Sequence, residues 1–297
     1  MKLAVLSDIH GNYIALRQCV EYALARNINT FIFLGDYIGE FPYPRKTMEY
    51  LYALKQKYTC YFVRGNRDEY MLNYRNTGEN SWTKGNSASG VLLYLYERLA
   101  AEDLAFFESL PIKQVLTFPE LPPLTMCHGS PNRVNERMDP ENEATYEIMR
   151  NDSSSYILCG HTHVQREIHH GEKVAWNPGS VGIPVESGGE TQFMILHGTD
   201  NSWHQEFLKL EYDTETIIRQ LTVSGLESYA PWWCTITKYA LRGGRIDHGV
   251  VLDRAMEICA GKYGQCKWPE IPEECWAQAV SEILPEGRIL TKSIGRT

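Results

Sequence analysis

Lys2 to Ser7, Thr30 to Leu34 and Thr59 to Val63 are short runs of apolar, β-branched and aromatic residues, and each reads as a buried strand. Helix-patterned segments lie between them. In Asn12 to Ala25 the apolar residues Ala15, Leu16, Cys19, Val20, Ala23 and Leu24 follow helical spacing; in Thr47 to Lys57, Met48, Leu51, Tyr52 and Leu54 share a side. This alternation implies a mostly parallel sheet with helices packed on it. Ser87 to Glu108 also reads as helical. After Pro111 the texture changes, with strand candidates at Lys113–Phe118, Leu124–Cys127, Tyr156–Cys159, Val164–Ile168, Lys173–Trp176, Gln192–Leu196 and Trp203–Leu210. Their short connections, rich in Gly, Asn and Pro, suit hairpins and a second sheet. The expected fold class is α/β: two facing mixed sheets flanked by helices, in four layers. From about Tyr212 the chain becomes helical and aromatic, with helix candidates at Asp213–Val223, Asp247–Tyr263 and Glu273–Ile283. The expected organisation is a main domain over 1–211 and a small helical extension over 212–297.

The formal net charge of −8 argues against a broad basic surface that tracks long nucleic acid. It leaves room for a small phosphorylated substrate, because bound cations can supply positive charge locally. Eight cysteines are present without a CxxC pair, so zinc-ribbon and thioredoxin readings have no support. Cys19, Cys60, Cys127 and Cys159 lie in apolar segments and read as buried thiols. No apolar stretch approaches the ~20 residues a membrane span needs, and the initial apolar run is too short for a signal peptide. A cytoplasmic location with reduced thiols is expected.

Five short signatures share one arrangement, an apolar strand followed by polar residues of metal-ligand type: Asp8-Ile9-His10, Gly35-Asp36, Gly65-Asn66-Arg67-Asp68, His128-Gly129 and Gly160-His161-Thr162-His163. Loops at strand ends converge on one rim, where α/β folds place ligand sites. In an extended segment residues two apart point the same way, so Asp8 and His10 can face one ion, and His161 and His163 can do so as a pair. The mix of carboxylate, imidazole and amide suits Mn, Fe, Zn, Ni or Co better than Ca. Asp8, His10, Asp36, Asn66, His128, His161 and His163 are too many ligands for one tetrahedral ion. They are about right for two divalent transition-metal ions.

These five blocks, in this order, resemble the calcineurin-like metallophosphoesterase superfamily, and most of all its compact prokaryotic branch, over about Met1 to Leu210. The resemblance implies a β-sandwich flanked by helices. It also implies that Asp8, His10, Asp36 and His163 hold one metal, and that Asp36, Asn66, His128 and His161 hold the other, with Asp36 bridging. Many members carry a histidine after the block's asparagine; here that position is Arg67. An arginine cannot donate a proton near neutral pH, but its planar fork can hold a phosphate oxygen.

The expected activity is metal-dependent hydrolysis of phosphate esters or anhydrides, with phosphodiesters and nucleotide-type compounds as the expected substrates. A bridging water, made acidic by the ions, attacks phosphorus in line. Asn66, Arg67 and His128 are the residues expected to carry the chemistry, with Arg67 clamping a non-bridging oxygen. Asn12 is expected to cap a helix and to offer a substrate contact at its start. Asp68 reads as a loop partner, Asn177-Pro178-Gly179-Ser180 as a tight turn, and His169 and His170 as exposed turn residues. His197, His204 and His248 read as structural, and Tyr229–Trp233 as a packing plug. The extension is expected to cover the site's rim or to join identical subunits. The alternative from another class is a metal-binding scaffold or interaction module that has lost catalysis; its mark would be a depleted ligand set. A nuclease is disfavoured by the acidic charge.

Overall fold

Leu3 and Val5 point one way from the first strand and Ala4 and Leu6 the other, and both faces are buried. A strand buried on both sides needs a packed layer on each, and the period of two along the strand feeds both. The computed structural model describes residues 1–78, 81–185 and 187–285. Along the chain, β1 (Lys2–Leu6), α1 (Tyr13–Ala25), β2 (Thr30–Phe33), α2 (Pro44–Lys57) and β3 (Thr59–Phe62) alternate as the pattern predicts. Three helices follow: α3 (Asn66–Thr77), α4 (Gly90–Tyr96) and α5 (Ala101–Ser109). Next come β4 (Lys113–Phe118), β5 (Leu121–Cys127), α6 (Glu143–Asn151), β6 (Tyr156–Leu158), β7 (Gln165–His170), β8 (Lys173–Pro178), β9 (Thr191–Thr199) and β10 (Ser202–Leu210). The chain then runs through α7 (Thr214–Val223), α8 (Pro231–Leu241), α9 (His248–Tyr263) and α10 (Glu273–Ile283).

The strands form two five-stranded sheets, ordered β10-β9-β1-β2-β3 and β4-β5-β6-β8-β7. Both are mixed: β1, β2 and β3 are parallel, β9 runs against β1 and β10 runs against β9, and β5, β6 and β8 are parallel with β4 and β7 antiparallel at the edges. Leu3, Val5, Ile32 and Leu34 of the first sheet meet Leu124, Met126, Leu158 and Trp176 of the second in the central core. α6 covers the second sheet's other face through Ile148 and Met149. The first sheet's outer face carries the largest cluster, which runs from α1 and α2 through Tyr37 and Phe107 to Leu221, Trp233 and Trp276. α7–α10 therefore add to the same buried cluster as the helices of the first half. Residues 286–297, the end of the expected extension, lie outside the described residues.

Three local expectations need correction. The single helix over Ser87 to Glu108 is two helices. Asp103, fully buried and tied to Arg45 and Tyr52, accepts the Ala100 N–H at 2.8 Å and starts a new helix there. His169 and His170 belong to β7, opposite Val174 and Lys173, and the turn is Gly171-Glu172. Cys60 is half-buried, because β3 is an edge strand. Among the described residues no helix is long and apolar enough to cross a membrane.

Candidate metal centre

Loops after β1, β2 and β3 meet loops after β5 and β6 on one rim of the sandwich. The first two loops stay hydrogen bonded beyond their strands, with Asp8 N–H donating to Gly35 O at 3.2 Å, His10 N–H to Asp36 O at 2.9 Å and Gly11 N–H to Tyr37 O at 2.9 Å. The backbone is unusual where the candidate ligands sit. Asp8, His10, Asp36, His161 and His163 all hold positive φ, between 52° and 66°. Side-chain-bearing residues rarely adopt that conformation; each instance costs of order 1–3 kcal/mol and persists only where the surroundings impose it. The left-handed backbone corrects the sequence argument. Asp8 and His10 face one centre because the chain coils tightly between them, not because it is extended. His161 and His163 diverge: the His161 ring lies 5.3 Å from that of His128, and the His163 ring 4.7 Å from that of His10.

Two sets of donors result. Asp8, His10 and His163 bring ligand atoms within 4.8 Å of one another, and so do Asp8, Asp36 and His128. Asp36 divides its oxygens, with Oδ2 3.7 Å from His10 Nε2 and Oδ1 3.5 Å from His128 Nε2. Asn66 Oδ1 completes the second set at 3.0 Å from His128 Nε2.

Each set has the character of a cation site. His163 Nδ1 donates to Ile183 O at 3.1 Å and His128 Nδ1 to Leu34 O at 2.7 Å; a carbonyl only accepts, so these nitrogens carry the protons and the Nε2 atoms are bare when the rings are neutral. His10 Nδ1 lies 2.6 Å from Glu40 Oε2, off the ideal hydrogen-bonding direction. His10 Nε2 and His163 Nε2 then face each other at 3.0 Å, a contact that calls for a positive charge between them. Asp8 Oδ2 accepts from Ser7 Oγ at 2.5 Å and from His161 N–H at 3.0 Å, which leaves Oδ1 buried without a hydrogen bond. That orphan oxygen lies 3.2 Å from His163 Nε2. Burial alone would raise the Asp8 carboxyl, but the neighbouring histidines, His128 and His163 first and then His10, hold it well below the usual range. Burial would lower His10, yet Glu40, Asp8 and Asp36 outweigh it and push the ring up to about 10. For His161 burial, helped by the charge on His128, wins and brings the ring down to about 4. Buried carboxylates thus create a field that favours a cation at the centre. The donor set of carboxylate, imidazole and amide fits a divalent transition metal.

Other residues hold the donors in place. Asp68 accepts N–H groups from Asp36 at 3.1 Å, Tyr37 at 3.2 Å and Gly65 at 2.8 Å, and so clamps the Asp36 loop. The Asn177–Ser180 segment does more than turn the chain: Asn177 Nδ2 donates to Gly160 O at 2.6 Å, and Ser180 Oγ to Asp8 O at 2.8 Å. Glu40, which the sequence reading passed over, accepts from Arg67 Nη2 at 2.6 Å while touching His10. The signal that could have found it is a carboxylate inside the apolar stretch Tyr37–Phe41, where burial demands a partner.

Residues 1–201 match the calcineurin-like phosphoesterase superfamily domain. The chain belongs to the calcineurin-like phosphoesterase superfamily. An uncharacterized protein of Methanocaldococcus jannaschii is similar, with 25% identity over 253 residues that span 76% of this chain and 94% of that protein. Among solved structures, the fold is shared with a metallophosphoesterase from Sphaerobacter thermophilus at 24% identity and TM-score 0.60, covering 76% of this chain and 95% of that one. It is shared also with a hypothetical protein from Pyrococcus horikoshii at 21% identity and TM-score 0.66, covering 78% and 97%.

In this calcineurin-like phosphoesterase a cavity of about 250 Å³ opens over the donors, and His10, Asp36, Asn66, His161 and His163 border it. Arg67 borders it too, 16% exposed and already paired to Glu40, so it is not a solvated loop arginine. Asn12 is a correction. It is fully buried, its Oδ1 caps Ala15 N–H at 3.2 Å, and its Nδ2 donates to Gly182 O at 3.0 Å and Tyr212 Oη at 3.1 Å. No part of it reaches the cavity, which leaves capping as its role. His248 and Trp233, read as structural and as packing, both border the cavity, and so does Arg245. Nothing in local spacing could link them to donors so distant in sequence.

Proposed function

We propose that this chain is a hydrolase of small phosphate esters or anhydrides that works with two divalent transition-metal ions. Asp8, His10, Asp36 and His163 would hold one ion, and Asp36, Asn66, His128 and His161 the other. The observation that carries this reading is Asp36, whose two oxygens turn one toward His10 and the other toward His128, in two donor sets that share Asp8. When bound, the ions supply charge that neutralises the phosphoryl oxygens and lowers the pKa of an attacking water. The chain's own residues fix geometry. Glu40 orients His10, Leu34 O orients His128, and Ile183 O orients His163. Arg67 keeps donors beyond the one given to Glu40 and would grip a phosphoryl oxygen. The small cavity favours a small substrate over a polymer.

Because Arg67 stays charged and cannot give up a proton, substrates with good leaving groups, such as aryl phosphodiesters or anhydrides, should outrun alkyl monoesters. A depleted scaffold would lack part of this donor set, and every position is filled. The test is elemental analysis of protein made with Mn supplied, with hydrolysis of matched aryl diesters and alkyl monoesters. About two ions per chain and faster diester cleavage are expected; a chain that takes up no metal under generous supply overturns the reading.

A further inference from the structure

The donors line the floor of the cavity, but one wall comes from a part of the chain beyond the matched 1–201 segment. α8, the turn that follows it and the N-terminal part of α9 bring Trp233, Arg245, Ile246, Asp247, His248 and Leu252 to the cavity. Most of that wall is apolar or neutral. The His248 ring lies on Trp233 with centroids 4.4 Å apart. Its Nε2 sits 2.9 Å from Thr237 Oγ1, whose hydroxyl already donates to Trp233 O at 2.9 Å; the Thr237 oxygen therefore accepts, and His248 Nε2 carries a proton. Burial, against the pull of Glu40, lowers this ring to about 4, so it is neutral at neutral pH.

Arg245 and Asp247 are the exceptions. The cavity's other arginines are engaged, Arg67 with Glu40 at 2.6 Å and Arg137 with Asp139 at 2.9 Å. No carboxylate lies within ion-pair distance of Arg245 among the described residues. Nor does its turn drape loosely at the surface. A Cβ built at Gly244 would lie 2.2 Å from the Tyr239 ring, so the backbone passes flat against that side chain and sets where Arg245 leaves the chain. The wall's one carboxylate, Asp247, is committed to capping α9, where its Oδ1 accepts from Val250 N–H at 3.0 Å. A guanidinium without an ion pair, on a backbone held in place beside it and next to a phosphoryl-binding floor, matches a ligand with two separated negative groups.

We propose that this wall receives the leaving portion of the substrate and that Arg245 selects small organophosphates whose leaving portion carries a second anionic group, a carboxylate or a second phosphate. The proposal rests on the hydrolase reading for the phosphoryl group at the floor. Ile246, Leu252 and Trp233 pack the organic body between the two charges.

The experiment uses the full chain loaded with Mn and three ligands that cannot be hydrolysed: phenylphosphonate, 3-carboxyphenylphosphonate and 1,3-benzenediphosphonate. Calorimetry measures each affinity for wild type, Arg245→Ala and Arg245→Lys. Wild type should bind a doubly charged ligand about tenfold tighter than phenylphosphonate. Arg245→Ala should erase that preference while leaving phenylphosphonate affinity within about twofold, and Arg245→Lys should keep part of it. Which doubly charged ligand gains more tells carboxylate from phosphate. Failure of wild type to bind any of the three overturns the hydrolase reading and this subsite with it. Binding of all three without preference, or a preference that survives in Arg245→Ala, overturns the subsite alone.

Discussion

Glu40 touches His10 on one side and Arg67 on the other, so the arginine at 67 and the carboxylate at 40 work as a pair. Burial alone would raise this carboxyl, and the charges of His10 and Arg67 hold it well below its usual range. Glu40→Gln keeps the shape and removes the charge. It should weaken metal binding by about 10–100-fold, as loss of a partner behind a ligating histidine does; a metal titration that gives the wild-type affinity would show that Glu40 only fills space. Gly39→Ala attacks the same contact by bulk, since a Cβ there would lie 2.1 Å from His10 Nδ1. Its metal content should fall, with Asp8, His10 and His163 disturbed before Asn66 and His128. Arg67→Lys should retain more hydrolysis of aryl diesters than Arg67→Ala, because charge survives although the fork is lost. At this scale the five blocks were legible because aspartate, histidine and asparagine directly after apolar strands are rare without a purpose. Glu40 was not, because its role depends on Arg67 reaching back to it from the first turn of α3.

Among the elements, β1, β2, β3, α1 and α2 could be read because their apolar residues repeat with a clean period and are buried where the period says. α3 could not, since Asn66–Thr77 is mostly polar and buries only Asn66, Asp68, Met71 and Leu72. α8 was hidden by its aromatic residues, which crowd around Trp232 and Trp233 without an obvious face, although Pro231 at its first turn is a start signal. α8 and α10 are tied to the segment before α4 by polar contacts. Glu273 accepts from Ser87 N at 2.7 Å and from Ser87 Oγ at 2.8 Å, and Ser87 Oγ in turn accepts from Trp232 N at 3.0 Å. Ser87 is fully buried, so Glu273→Ala would leave its N–H without a partner. The expected loss is about 1–3 kcal/mol in a urea titration, and a loss near zero would mean that water replaces the carboxylate.

Across the whole molecule, the helices after Tyr212 pack into one cluster with Tyr37, Val91 and Phe107. Sequence texture marked a change near Glu211, yet it could not show that the apolar faces on either side of that point complete each other. A chain cut after Glu211 would expose the surfaces that Leu221, Trp233, Ile236 and Trp276 now cover. It should be insoluble or molten, and the full chain should melt in one calorimetric transition; two well-separated transitions would reveal independent units. The acidic balance of the whole chain should keep binding to long duplex DNA weak at physiological salt, which a filter-binding series across salt concentrations would check.

The donor loops are complete by His163, whereas Trp233, Arg245 and His248 stand at least seventy residues further along the chain. Floor and wall are therefore written in separate stretches of sequence. A lineage could rewrite the α8–α9 turn, exchanging Arg245 or lengthening the segment, and change which compounds enter without disturbing a single donor. Descendants of such a chain would diversify in diet while inheriting the same chemistry.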